Sequence, residues 1–404
     1  TTGSSTVAYG FNAGIQLDVS GSKTETDTQS TVALASILSG DTVNLITGGG
    51  SRLPDGSFNS ANQTTTTISG SSIEGRVVNI STGNLDVSSS QDTYKTETER
   101  NAINVTVQQT LWGATAGGPS INVGYDASQS RERGRSHTNS SITGDNINID
   151  VANDASFNGA TVRADDALNV NVGENLDVVS VQDRVSGNSN GFGVSAGVSF
   201  GGNTTDHQAR NGQTYQTASV GKLGDAQGVS GGFNAHSGRF SERQTVVTSL
   251  TSGGTADINV GGATTLIGAT IGTVDANGND LGNLNLTTNT FEFEDLSNRS
   301  YSNQVSAGFS TNLSLGGGSA TDASPSARTS ADGTRLGTVQ ANFSNSTSTD
   351  ASTTVATVGQ GSFTIVDPIS SDSLDRLNRD AGATNVELFS EDRSVAVDLT
   401  LDTR

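Results

Sequence analysis

Apolar and polar residues alternate along most of this chain. Ile147, Ile149 and Val151 are separated by Asn148 and Asp150; Leu168, Val170 and Val172 by Asn169 and Asn171; Phe291 and Phe293 by Glu292, with Glu294 next. A period of two sends one set of side chains to a buried face and the other to water, as in half-buried β-strands. Between the alternating runs stand Gly, Asn and Asp, which accept turn conformations. Short strands are expected at 147–151, 160–162, 168–172 and 176–179, a spacing of about 8–12 residues that suits a turn-punctuated all-β chain. Ile149 and Val170 lie 170 − 149 = 21 residues apart. That distance suits one coil of a β-solenoid, although a series of β-sandwiches would also give short spaced strands.

A longer repeat overlies the short one. Residues 84–92, NLDVSSSQD, return at 175–183 as NLDVVSVQD, an offset of 175 − 84 = 91. Leu38-Ser39-Gly40-Asp41 is echoed by Ile142-Thr143-Gly144-Asp145, and 250–254 is a looser copy. Each unit reads as a strand-rich coil, a polar stretch and a glycine-rich stretch. The glycine-rich pieces, such as 192–200 and 306–309, also alternate, and they are expected as hairpins flanking the solenoid. Residues 317–353, rich in Ser, Thr, Ala and Gly, are expected as an irregular insertion. Near Asp367-Pro368 the register changes: Ser and Asp capping signals precede Leu374 and Leu377, three apart, and Gly382 follows, which predicts a short helix within 371–381. Val395, Val397 and Leu399 then alternate as a strand.

Composition narrows the function. The 404 residues include 50 Gly, 4 Pro, only 15% charged and 31% hydrophobic residues, so the core must be thin and regular. Periodic apolar positions argue against disorder. The net charge of −20 repels phosphate backbones, so nucleic acid is excluded as a partner. The basic cluster of Arg131, Arg133, Arg135 and His137 is interrupted by Glu132 and Gly134 and is expected in a solvated, Ser-rich loop. With no Cys, thiol catalysis and thiolate metal sites are excluded. The absence of Met, even at position 1, leads us to expect an excised or processed stretch. No signal peptide is visible, and no run of 18 apolar residues occurs.

Motifs that carry chemistry are weak. Gly193-Val194-Ser195-Ala196-Gly197 fits the G-x-S-x-G nucleophile elbow, but that motif needs a strand-to-helix turn, and Val198 and Phe200 continue the alternation. His137, His207 and His236 lack ligand-spaced partners. The sequence from Asp275 to Asp280 opens like a calcium loop, but Asp280 stands where Gly is required and Leu286 where Glu is. Glu292 and Glu294 fall on one strand face opposite Phe291 and Phe293, the expected solvent side. No catalytic residue, metal ligand or cofactor site is assigned, and no enzyme is expected.

Residues 264–271 (TTLIGATI), Leu286-Thr287-Thr288, 291–298 (FEFEDLSN) and 306–310 (SAGFS) stand in that order, followed by 355–365 (VATVGQGSFTI) and 374–380 (LDRLNRD). This succession resembles the haemagglutinin-repeat region of filamentous haemagglutinins and contact-dependent growth inhibition exoproteins. The first four stretches resemble the repeat itself, and the last two resemble the segments that close this region. The resemblance implies a chain secreted by the two-partner route to a Gram-negative surface, or held in the periplasm before delivery. The expected fold is all-β: a repeat-built right-handed β-helix (β-solenoid) with flanking glycine-rich β-hairpins and a short helix near the C-terminus. Expected divisions are 1–40, the end of a preceding repeat; 41–140 and 141–250, two repeats; 251–366, a last repeat with its insertion; and 367–404, the start of a following module. In the inhibition branch the segment would help pass a toxin across a target cell's outer membrane. In the adhesin branch it would be a stalk for host attachment or biofilm, and no Arg-Gly-Asp occurs. Expected partners are other parts of the same exoprotein and a target outer membrane or surface receptor.

Residues 192–200 add a sharper expectation. Phe192, Val194, Val198 and Phe200, with Ala196, share one strand face, and Gly193, Ser195, Gly197 and Ser199 share the other. About ten residues of such alternation mark an outer-membrane strand, which needs closure into a barrel to remain in lipid. Residues 8–17, 119–127 and 305–315 are of the same kind. The alternative is local pairing as hairpins beside the solenoid. The near-universal period of two predicts a far-ultraviolet dichroism spectrum dominated by β-structure; a helix-dominated spectrum would contradict this reading.

Overall fold

The computed structural model describes residues 13–112, 117–201, 203–208, 214–219, 226–315 and 334–402. The alternating segments form two parallel ladders. One is a ten-stranded sheet running through Ile37–Ile46, Ser72–Thr82, Ser140–Val151 and Ala160–Val172. The other is a six-stranded sheet through Thr65–Ser69, Asn84–Ser88, Ala155–Asn158, Leu176–Val179, Ala263–Ile267 and Thr290–Glu294. The chain visits the two ladders alternately, and each pass adds one strand's width to both. Ile149 and Val170, 21 residues apart, are direct partners, as their spacing predicts.

Register carries the core from pass to pass. Leu45, Ile80, Ile149, Val170, Ile258, Leu286 and Phe363 form one cross-strand column. Ile68, Val87, Phe157, Val178, Leu266 and Phe293 form another on the second ladder. The inner members are wholly buried, and both columns belong to one apolar cluster. On the outer face Asn44, Asn79, Asn148 and Asn169 hydrogen-bond side chain to side chain at 2.8–2.9 Å. These asparagines satisfy one another along the stack, so few charged groups are needed.

Eight long strands make a third, antiparallel sheet. They are β1 (Ala13–Thr31), β2 (Ser90–Trp112), β3 (Gly117–Thr138), β4 (Val181–Gly201), β5 (Ala226–Val246), β6 (Leu296–Leu315), β7 (Thr334–Thr354) and β8 (Asn385–Asp402), side by side in chain order. Pairs β2–β3, β4–β5 and β6–β7 each leave the ladders and return between the same two ladders. At the intervening passes the chain turns that corner tightly, through Gly70, Gly159 and Gly268, all with positive φ. A Cβ on Gly159 would lie 2.6 Å from Ser89, and one on Gly268 2.7 Å from Leu296, where neighbouring excursions begin. Large departures and tight glycine corners therefore alternate. The repeat of Leu85 at Leu176 spans two passes, through Ala155.

Three expectations are corrected. The segment 371–381 holds no α-helix, only a single 3-10 turn at Leu374–Arg376 capped by Ser373. Its backbone is drawn onto the end of the stack: Asn378 bridges Thr357, and the Arg379 guanidinium donates to Val358 O and Gly359 O, both at 2.8 Å. Leu377 is buried while Leu374 stays exposed, so the two leucines do not share a helical face. The expected irregular insertion at 317–353 is strand from residue 334 onward, held between β6 and β8; residues 316–333 lie outside the described residues. Its small β-branched and hydroxyl side chains suit a pleated sheet paired on both sides. The basic cluster at 131–137 is no loop: it lies within β3, paired to β2 and β4.

Because Ile149 and Val170 are fully buried in adjoining passes, Ile149→Asp or Val170→Asp each places an unpaired charge in the core. The expected loss is on the order of 3–5 kcal/mol, read as a lowered midpoint in denaturant unfolding.

Candidate functional site: the one-sided long sheet

Direct cross-strand pairing fixes which side chains share a face of the long sheet. One row runs Ile103, Tyr125, Val194, Phe233, Phe309, Ala341, Leu399 across seven adjacent strands. Two further rows on the same face run Ala127, Phe192, Ala235, Ala307, Phe343, Val397, and Leu17, Val107, Ile121, Val198, Val229, Leu313, the latter beyond a row through Val105, Val123, Ala196, Gly231 and Thr311. Phe192, Phe233 and Phe309 are each 46% exposed and Leu399 65%, so this is an uncovered apolar surface and not a core. With strands about 4.8 Å apart, eight of them span roughly 34 Å. Contiguous apolar patches on monomeric proteins seldom exceed a few hundred Å², and larger ones mark interaction sites.

The reverse face is small and polar: Asn104, Gly124, Ser195, Gly232, Ser310, Gln340 and Thr400 form the corresponding row. The glycines have a local reason. A Cβ on Gly124 would meet Asn104, and one on Gly308 would meet Asn342, so an asparagine side chain lies over each glycine from the neighbouring strand.

The expected membrane-interacting residues are therefore brought together with their counterparts. Phe192, Val194 and Val198 lie on the apolar face, aligned with residues from 119–127 and 305–315. Phe200 follows a register shift and is half-buried. Of 8–17, residues 13–17 are described, and Leu17 joins the face. The stretches pair as hairpins beside the parallel ladders, and the hairpins also pair with one another. Among the described pairings, β1 and β8 are the outer strands of the sheet.

The second feature of this face is a line of arginines nearer the ladders. Arg135, Arg184, Arg243 and Arg299 are direct cross-strand partners on β3, β4, β5 and β6. Arg131, Arg133 and Arg239 stand on the same face in the next rows, and Arg131 meets Glu97 at 2.7 Å. That guanidinium holds the Glu97 carboxyl below its ordinary range. On the reverse face the Tyr94 hydroxyl donates to Glu132 at 2.7 Å, which pushes its pKa up to about 12. The loop expectation for 131–137 concealed this row. Two sequence features mark it: the period-two spacing of Arg131, Arg133 and Arg135, and the equal intervals 135 − 125, 194 − 184, 243 − 233 and 309 − 299, each 10, to Tyr125, Val194, Phe233 and Phe309.

The remaining candidates take structural places. Ser195 is in the middle of β4, paired to Gly124 and Gly232, with no sharp turn at its position. His137 Nδ1 lies 3.1 Å from Asp183 Oδ1, which also accepts the His137 backbone N–H. His236 sits within β5 between Gly191 and Ser306, and His207 within the Asn203–Gln208 strand. The Asp275 carboxylate accepts the N–H groups of Asn277 and Asn279, closing a turn with the oxygens a cation would need. Glu292 and Glu294 are exposed beside buried Phe291. Among the described residues no three His, Asp or Glu cluster to hold a metal, and no helix is long and apolar enough to cross a membrane.

Among known families, the model described as "Hemagglutinin repeat" matches residues 17–194, from within β1 to within β4. No curated protein and no solved structure matches the chain.

Proposed function

From the premise that residues 17–194 belong to the haemagglutinin-repeat family of the filamentous type, we propose that the chain is a non-catalytic fibre segment of a secreted surface exoprotein that attaches to a target outer membrane. Its parallel ladders are read as a right-handed β-helix, a rigid shaft whose repeat unit is two passes and one hairpin. Its long sheet is read as the attachment surface. In the contact-dependent inhibition setting this attachment supports delivery of a C-terminal toxin into a neighbouring bacterium. The observation that carries the reading is the apolar face, continuous across seven strands and open to solvent, on a chain that is otherwise polar and has a net charge of −20. A water-soluble shaft has no use for such a face, and exposing it costs solubility. Lipid supplies the cover that the fold does not. The family match by itself also favours a second reading, an adhesin stalk, which needs no lipid contact.

The test is flotation of the purified chain with vesicles of outer-membrane lipids. The chain is expected to rise with the vesicles and to gain protease protection at 192–200. A Phe233→Asp/Phe309→Asp variant, with its dichroism spectrum unchanged, is expected to stay at the bottom. If the unaltered chain also stays at the bottom with 192–200 cleavable, attachment to lipid fails and the stalk reading stands.

A further inference from the structure

We propose that the row Arg135, Arg184, Arg243 and Arg299 is a binding site for the phosphates of anionic lipid headgroups, an inference that rests on the membrane-attachment reading and names its ligand. Four arginines directly opposite one another on adjacent strands repel, and like charges so placed destabilise a sheet. The chain has only 21 basic residues against 41 acidic ones, yet among the described ion pairs none involves any of these four. Arg243 donates to the Ser297 hydroxyl at 2.6 Å, and Arg135 Nε is buried without a hydrogen-bond partner. Arg184 and Arg299 are exposed.

The acids next to the row in the sequence lie on the other side. Asp183 precedes Arg184 and Glu242 precedes Arg243, and alternation turns both to the reverse face. Both acids thus lie away from the row, which stays on the side that carries the exposed phenylalanines; Glu97 and Glu99 are on that side too, but two or more rows further out, engaged by Arg131 and Gln129. Along each strand the row lies 10 residues, about 34 Å, from the row through Phe233, and Arg131 and Arg239 stand between, about 20 Å from it. A sheet dipping its far half into one leaflet would bring this band toward the headgroups. Guanidinium groups bind phosphate oxygens through paired N–H donors, and neighbouring strands set them about 5 Å apart, close enough for adjacent arginines to share a phosphate. Bound phosphates would remove the repulsion that the free sheet carries. The apolar rows on the same face favour a phosphate attached to a lipid over a free one.

The experiment compares flotation on neutral phosphatidylcholine vesicles and on the same vesicles containing phosphatidylglycerol, for the full chain and for an R135Q/R184Q/R243Q/R299Q variant. The full chain is expected to bind the anionic vesicles at least about tenfold more tightly, an advantage that added salt diminishes. The Gln variant is expected to bind both vesicles as the full chain binds the neutral ones, with a melting temperature no lower than the parent's. An anionic preference retained by the variant, or absent from the full chain, overturns the proposal while leaving neutral-vesicle binding to support attachment. Failure to bind either vesicle, with sedimentation showing a dimer, assigns the face to a second copy and overturns both. If inorganic phosphate without lipid raises the parent's melting temperature but not the variant's, and anionic vesicles add nothing, the ligand is free phosphate and the lipid assignment falls.

Discussion

One spacing governs this molecule. Hydrogen-bonded strands sit about 4.8 Å apart whether they run parallel or antiparallel. Each pass of the chain adds one such step to the parallel ladders. Each hairpin adds two to the long sheet, because it goes out and comes back. For both to grow at the same rate along the same axis, a hairpin can leave only at every second pass. The pattern obeys this throughout the described core: residues 90–138, 181–246 and 296–354 are excursions, and the passes between turn at Gly70, Gly159 and Gly268. The glycines answer the same constraint, since the neighbouring excursion starts directly against each corner and leaves no room for a Cβ.

This geometry also explains how so little apolar material suffices. Inside the stack each buried side chain meets another above and below it, so columns such as Ile80, Ile149, Val170 and Ile258 run without a break through the core. The asparagine ladder outside does for polar groups what the column does for apolar ones. The long sheet differs: among the described residues much of its apolar side stands open to solvent. Phe192, Val194 and Phe233 are exposed there, and a sheet grown in step with the parallel ladders presents a surface whose width increases with every repeat.

Much of the ladder was legible in the sequence because alternation and direct stacking are local. The strands at 147–151 and 168–172, the 21-residue step between them and the sidedness of 192–200 all follow from period two. What was not legible depended on partners far along the chain. Residues 131–137 and 344–353 look like loops because their polar side chains carry no apolar rhythm, and the short alternation Val339, Ala341, Phe343 is overshadowed by the Ser- and Thr-rich stretch around it; yet a strand paired on both sides needs only backbone hydrogen bonds and side chains that tolerate the pleat. Leu374 and Leu377 gave a helical spacing, but Arg379 and Asn378 find carbonyl and hydroxyl partners on the last pass and hold the segment extended. The arginine row became visible only once β3, β4, β5 and β6 were known to be adjacent.

The shared spacing requires that separate hairpins, not just the two arms of each, lie edge to edge. The chain has no cysteine, so engineered pairs report this without background. Val105 and Val123 face each other within one hairpin, whereas Val123 and Ala196, and Ala235 and Ala307, face each other between hairpins. Directly opposed residues of an antiparallel pair have Cα atoms about 4.5–5.5 Å apart, within reach of a disulfide. The measurement is the extent of disulfide formation in three double-cysteine variants, one for each of these pairs, under mild oxidation. A single lockstep sheet predicts efficient intramolecular crosslinking in all three. Crosslinking of Val105→Cys with Val123→Cys alone, with neither pair between hairpins reacting, would show hairpins that project independently from the ladders and contradict the account.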